Sequence, residues 1–296
     1  MLITVHAVWC GQQCLRWRVY GDGDSTKLIN MLSLLILNQV SDRSQPKSGN
    51  DSYHRKTIDF FVILKNKDKF AFRKPKSRHM KVINLGENNT ILNKFVAQMR
   101  DCKIQKDSMR FRRNLERLGE IFAYEISKEL EYSEKPVTTP LGIAPMRTHD
   151  DKVVVATILR AGLPLHQGIL NYFDDAQNAF VAAYRKYDKG EGFHINIEYA
   201  STPDLEGKVL ILADTMLATG ASLEIAYKKL IEQGTPKHTH IVCPISSAYA
   251  VEYLQKNIDG DHVTLWVAAI DEELTSKSYI VPGLGDAGDL AYGIKK

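Results

Sequence analysis

Five consecutive apolar residues, Val209-Leu-Ile-Leu-Ala213, run into Asp214 and a loop of small residues that opens directly onto a helical pattern. An uninterrupted aliphatic run of this length offers water no polar face, so it reads as a strand covered on both sides. The same design recurs along the chain. Val153–Ile158, Ala179–Tyr184, Ile241–Ile245 and Val263–Ala268 read as strands, with helices over Leu163–Phe173, Leu223–Gln233 and Ala248–Lys256 between them. Leu115, Leu118, Phe122, Ile126 and Leu130 recur at three- and four-residue steps, which puts them on one face of a further helix. Short apolar strands alternating with helices predict an α/β fold, a mostly parallel sheet flanked by helices. In such sheets ligands gather at the carboxyl ends of the strands, and the informative residues of this chain fall there.

Charge divides the chain in two. All 15 Glu lie after Met80. Residues 1–79 carry 14 Lys+Arg and 6 Asp, a net of +8, whereas residues 80–296 carry 25 Lys+Arg and 29 Asp+Glu, a net of −4. The expectation is that residues 80–296 form the functional domain, and that 1–79 is a basic extension, disordered or translated from upstream of a natural start at Met80. Within it Leu28–Leu37 reads as a short helix and Phe60–Leu64 as a short strand. Lys65–Arg78, basic with Phe70 and Phe72 interleaved, has the composition of a nucleic-acid contact but reads more simply as a solvated tail. The ten residues of Leu28–Leu37 span half of what a bilayer requires, so no membrane anchor or export is expected. Four cysteines (Cys10, Cys14, Cys102, Cys243) are too few for a disulfide framework and fit a reducing, cytoplasmic setting. The Cys10–Cys14 spacing lacks the second Cys/His pair that a zinc site would need.

Four stretches carry chemistry. After the strand ending at Asp214, successive backbone N–H groups at a helix N-terminus form an anion cradle, to which Thr219 and Ser222 add hydroxyls and Gly220 a close backbone approach. Asp214 is suited to accept hydrogen bonds from sugar hydroxyls, so the loop reads as a sugar-phosphate site; it is not a Walker loop. Thr157-Ile-Leu-Arg-Ala-Gly-Leu163 places Arg160, a fixed fork of donors, at another strand end. Ala183-Tyr-Arg-Lys186 offers Arg185 beside a polar, glycine-containing stretch, Lys186–Gly192, suited to a flap. Ser278-Tyr-Ile-Val-Pro-Gly-Leu-Gly-Asp-Ala-Gly-Asp289 holds three glycines and a proline, and must be a shaped loop. Among other residues, His166 is expected on a helix surface, His238 and His240 in a strand, and Asp271-Glu272-Glu273 at a solvated loop start in preference to a metal site.

These stretches, in this order, resemble the phosphoribosyltransferases, and within them the uracil phosphoribosyltransferase family. The family's phosphoribosyl-diphosphate (PRPP) motif, Asp-Pro-Met-Leu-Ala-Thr-Gly-Gly-Ser, is matched by Asp214-Thr215-Met216-Leu217-Ala218-Thr219-Gly220-Ala221-Ser222, departing at Thr215 and Ala221. Ile158–Leu163 and the loop Tyr279–Asp289 match the family's sequences in full. The resemblance covers residues 80–296 and not 1–79. It implies a sheet with a β-arm or flap and a C-terminal uracil-binding loop. It implies transfer of 5-phosphoribose from PRPP to N1 of uracil, giving UMP and pyrophosphate, with Arg160 and Arg185 on the pyrophosphate and the Asp214 loop on the ribose 5-phosphate. Main-chain groups of Ile280, Gly285 and Ala287 would read uracil; Asp286 would face ribose or metal and is a candidate base for N1. Mg2+ held mainly by PRPP, a homo-oligomer and GTP activation in some members are further implications. Two rivals are a purine or orotate phosphoribosyltransferase and an RNA-binding pyrimidine regulator on the same fold. The first usually has two adjacent acids where Asp214 is followed by Thr215, and lacks the uracil loop; the second should show a basic face, which the −4 of residues 80–296 does not suggest.

Overall fold

The computed structural model describes residues 2–10, 13–20, 56–63, 80–187 and 193–294, with the backbone alone described for the first three ranges and for 183–187 and 193–197. The expected helix Leu28–Leu37 and the basic run Lys65–Arg78 lie outside the described residues. The chain divides into two units, 1–77 and 78–296. In the first, β1 (Leu2–Cys10), β2 (Gln13–Tyr20) and β3 (Lys56–Ile63) form an antiparallel sheet ordered β2-β1-β3.

The second unit opens with β4 (Lys81–Asn84), α1 (Ile91–Arg100) and α2 (Ser108–Ser127), followed by a hairpin of β5 (Tyr132–Thr139) and β6 (Gly142–His149). Then come β7 (Val153–Leu159), α3 (Leu163–Leu170), β8 (Gln177–Tyr187), β9 (Phe193–Ser201), β10 (Val209–Ala213) and the short β11 (Met216–Leu217). The chain ends through α4 (Ala221–Ile231), β12 (His238–Ser247), α5 (Ala248–Asn257), β13 (Val263–Asp271), β14 (Glu273–Leu274), β15 (Ile280–Val281) and α6 (Ala287–Tyr292). The main sheet runs β4-β13-β12-β10-β7-β8-β9, with β11 beside β12. Pairing is parallel throughout except where β9 returns antiparallel along β8. The expected α/β sheet is therefore present. All five strands read from apolar runs are in it, with β8 reaching three residues beyond the apolar run.

Alternation along each strand explains the two layers. Val153, Val155, Val209 and Ile211 point into one core with α1, α2, α3 and α6; Val154, Ala156, Leu210 and Leu212 point into the other with α4 and α5. On α2, Leu115, Leu118, Phe122 and Ile126 are all fully buried, as their spacing requires. Asp107 precedes α2 as its N-cap: its carboxylate accepts the Arg110 N–H at 3.1 Å and caps the first turn.

Two expectations are corrected here. His166 is not on a helix surface: it is buried in α3, its ring 5.2 Å from that of Phe180, because α3 is covered by both α2 and the sheet and has little outer face. That burial pushes its pKa down. Asp271 is not a solvated loop residue either; it is the buried last residue of β13 and is paired with Arg100. His238 and His240 are strand residues, as expected, with Trp266 Nε1 donating to His240 Nδ1 at 3.1 Å.

Candidate active site

Register brings the loop-bearing strand ends together. Ala213 lies opposite Thr157, and Ser247 opposite Asp271, so the loops after β7, β10 and β13 leave the same edge of the sheet. Thr157 Oγ1 donates to the Ala213 carbonyl at 3.3 Å, tying the Arg160 loop to the Asp214 loop at their roots.

The Asp214 loop is held from behind by β12 and its helix. The Asp214 N–H donates to Val242 O at 3.0 Å, and Ser247 Oγ donates to Ala218 O at 2.6 Å while accepting the Ala250 N–H. Thr215 is buried and Leu217 packs into the core, while Met216, Ala218, Thr219, Ala221 and Ser222 are half-buried at the open side. Gly220 enters α4 with φ +83°, and a Cβ there would lie 2.8 Å from the Tyr253 ring. Ala221 is already helical, so the side chain it carries in place of the family's glycine meets no backbone strain. Among the described residues no side chain caps α4, so its first N–H groups, which carry the positive end of the helix dipole, can accept an anion. Beneath the loop, Tyr253 donates to Glu224 Oε2 at 2.5 Å, which pushes the tyrosine pKa up to about 12.

Asp214 stands at the strand tip with one side open and the sheet packed around the other. Burial pushes its pKa up to about 6, against the opposing hydrogen bonds from the Thr215 and Met216 N–H groups. Its Oδ1 accepts from Thr215 N at 2.7 Å.

Arg160 follows β7 directly and is exposed, its guanidinium 3.8 Å from Asp289 Oδ1 and 3.4 Å from the Gly293 carbonyl. These are long contacts, weak enough to be exchanged for a phosphate. Both partners belong to the C-terminal segment, so the structure brings Arg160 and the end of the last loop together. The Leu159–Arg160 and Val281–Pro282 peptides are cis. Arg185 lies on β8 opposite Ile195, with its side chain outside the described residues, as are residues 188–192 of the expected flap.

The loop after β13 is a folded unit. β14 and β15 pair antiparallel, with Leu274 opposite Ile280. Ile280, Leu284 and Ala287 are buried in the core shared with α1 and α2, whereas Gly285 is exposed with φ +93°. Asp286 is half-buried and caps α6, its Oδ1 accepting the Asp289 N–H at 2.9 Å, which leaves Oδ2 for a ligand. Gly283, at φ +52°, turns so tightly that a Cβ would lie 2.2 Å from the Ile280 carbonyl oxygen. Its N–H donates to Asp271 Oδ2 and its carbonyl accepts from Arg100 Nη1, both at 3.0 Å. Sequence reasoning missed Arg100, Ser247 and Tyr253, and misread Asp271. The acidic cluster was the available signal for Asp271, but nothing along the chain marks its partner.

A mostly parallel α/β sheet that brings the N-terminus of α4 and the exposed Arg160 to one carboxyl edge fits a phosphoribosyltransferase-like enzyme. The comparisons narrow that class. The sequence pattern described as uracil phosphoribosyltransferase matches residues 87–294, and the chain belongs to that family. A uracil phosphoribosyltransferase of Porphyromonas gingivalis is 57% identical over 216 residues, 73% of this chain and 100% of that protein. One from Methanothermobacter thermautotrophicus is 37% identical over 190 residues, 63% of this chain and 85% of that one. Among solved structures, the AQ2163 protein from Aquifex aeolicus is similar at TM-score 0.64 and 29% identity, covering 72% of this chain and 98% of that one.

Proposed function

We propose that this protein transfers the 5-phosphoribosyl group of PRPP to N1 of uracil. The N1–C1′ bond forms as the C1′–O bond to pyrophosphate breaks, the N1 proton is released, and the products are UMP and pyrophosphate. Carrying this reading is the cradle at the N-terminus of α4, uncapped and beside Asp214, in a chain of this family. The 5-phosphate would sit on the α4 N–H groups with Thr219 and Ser222, and the ribose hydroxyls on Asp214. Charge leaves C1′ with the pyrophosphate, so a donor placed at the departing oxygens lowers the barrier more than one placed on the ground state. Arg160, exposed and with long contacts to Asp289 and Gly293 that a phosphate can displace, would be that donor, with Arg185 as its partner. Main-chain groups of Ile280, Gly285 and Ala287 would face the edge of uracil. A fixed N–H opposite O4 and a fixed carbonyl opposite N3–H accept uracil but meet cytosine with mismatched partners. Asp286 Oδ2 is the oxygen of that loop open to the ribose or to N1.

Mg2+ fits as an ion carried in on PRPP. Asp214, itself a half-buried residue of the cradle loop, is the carboxylate at hand there, which suits a hydrated ion held mainly by substrate oxygens. When bound, it neutralises charge on the departing pyrophosphate.

Three further readings complete the proposal. The enzyme is assigned to residues 80–296, which the 216-residue alignment with the whole Porphyromonas protein supports. It acts as a homo-oligomer, supported by the β5–β6 arm, which exposes Leu141 and Ile143. Its setting is cytoplasmic, which fits the unpaired Cys102 and Cys243. The test is pyrophosphate release by the full chain from PRPP and Mg2+, with and without uracil, and with GTP added in parallel. Release that depends on uracil supports the function; release indifferent to uracil removes it.

A further inference from the structure

The proposed base-reading loop has glycines at 283 and 285, both at positive φ, so its backbone has unusual freedom to lose. Backbone readout works only if those groups are fixed before the base arrives. The start of the loop is fixed by the β14–β15 pair and its end by the Asp286 cap of α6. Its middle has a different restraint. Arg100, in the last turn of α1, meets Asp271 through two contacts, Nη1 to Oδ2 and Nη2 to Oδ1, both at 2.8 Å. The same Nη1 donates to Gly283 O, and the same Oδ2 accepts from Gly283 N. Both backbone groups of one residue are thus gripped by a closed ring of charge-assisted hydrogen bonds, anchored on a helix and a strand end.

We propose that Arg100 and Asp271 are positioning residues for base selection. Through Gly283 they set where Ile280 and Gly285 present their backbone groups. This rests on the uracil reading of that loop. Neither side chain makes any of the hydrogen bonds that anchor the phosphate cradle (Thr157 to Ala213, Asp214 to Val242, Ser247 to Ala218), although Ser247 lies opposite Asp271 in the sheet. The pair therefore acts on uracil and not on PRPP. Lysine cannot replace Arg100, because one ammonium cannot reproduce the fork that serves two carboxylate oxygens and a carbonyl.

The test compares the full chain with its Arg100→Lys and Asp271→Asn variants. It measures KM for uracil, KM for PRPP and the relative kcat/KM of uracil and cytosine, with a circular dichroism melt of each. Loss of one part-buried charge-assisted contact should raise the uracil KM and lower the preference over cytosine, each by about tenfold, and leave the PRPP KM unchanged. A parallel rise in both KM values, or an unaltered uracil KM and preference, would overturn the proposal. The variants open the ring from opposite ends, so failure of one to fold leaves the other to decide. Failure of both overturns it, since the pair would then hold the core and not the loop. Unsubstituted protein that shows no uracil-dependent turnover defeats the uracil reading itself, and the proposal with it.

Discussion

Arg100 and Asp271, separated by 171 positions in the chain, form a two-pronged ion pair with both N···O distances at 2.8 Å. Asp271 is buried and the Arg100 side chain is 22% exposed, so neither charge has full access to water. Removing one partner strands the other. Arg100→Met should destabilise the protein by roughly 3 kcal/mol, lowering the melting temperature by roughly 6–12 °C. A melting temperature equal to that of the unsubstituted protein would show that the pair holds nothing together.

Gly220 and Ala221 are neighbours with opposite requirements. Gly220 is left-handed and tight against Tyr253; Ala221 is the first residue of α4. Gly220→Ala should cost about 1–2 kcal/mol from backbone conformation alone and distort the cradle, raising the KM for PRPP. Ala221→Gly, which restores the family's usual residue, should leave that KM unchanged. Equal effects from both substitutions would mean that the loop has another shape.

Arg160 is exposed, and among the described residues its side-chain contacts are long, to Asp289 Oδ1 at 3.8 Å and Gly293 O at 3.4 Å. Its loss should therefore shift stability by less than about 1 kcal/mol. If it stabilises the leaving group, Arg160→Gln should nevertheless reduce kcat/KM for PRPP by on the order of a hundredfold. Retained turnover with an unchanged melt would remove Arg160 from the reaction.

Asp214 couples stability to pH. Its ordinary value of 3.8 is pushed up to about 6 by burial, so between these values the folded protein keeps a proton that the unfolded chain has released. The contribution is fully present below the unfolded value and is lost as pH rises through about 6. Asp214→Asn removes that penalty while keeping an oxygen for the Thr215 N–H. It should melt higher than the unsubstituted protein above pH 6, with the difference closing toward pH 4. A difference independent of pH would contradict the burial of this carboxylate.

How much was legible in the sequence follows from what each feature depends on. β7 and β10 could be read because a strand covered on both faces must be apolar at every position. The cradle could be read because a strand, a small-residue loop and a helix are contiguous in the chain. The β5–β6 hairpin could not be placed: it exposes Val137, Leu141, Ile143 and Met146, so its side chains carry no inside–outside alternation. Leu163–Phe173 was expected as one helix, yet α3 stops at Leu170 while Phe173 still enters the core from the following turn, so apolar spacing alone could not set the boundary. Asp271 looked solvated because it stands in an acidic run with Glu272 and Glu273; what pairs with it is an arginine on a distant helix.

The most direct measurement offers the full chain PRPP and Mg2+ with equal amounts of uracil, cytosine, hypoxanthine and orotate in one mixture, and identifies the nucleotides formed by mass spectrometry. UMP as the sole product is the expected result. Formation of a purine nucleotide, CMP or orotidine monophosphate at a comparable rate would contradict base selection by the loop that Arg100 and Asp271 hold.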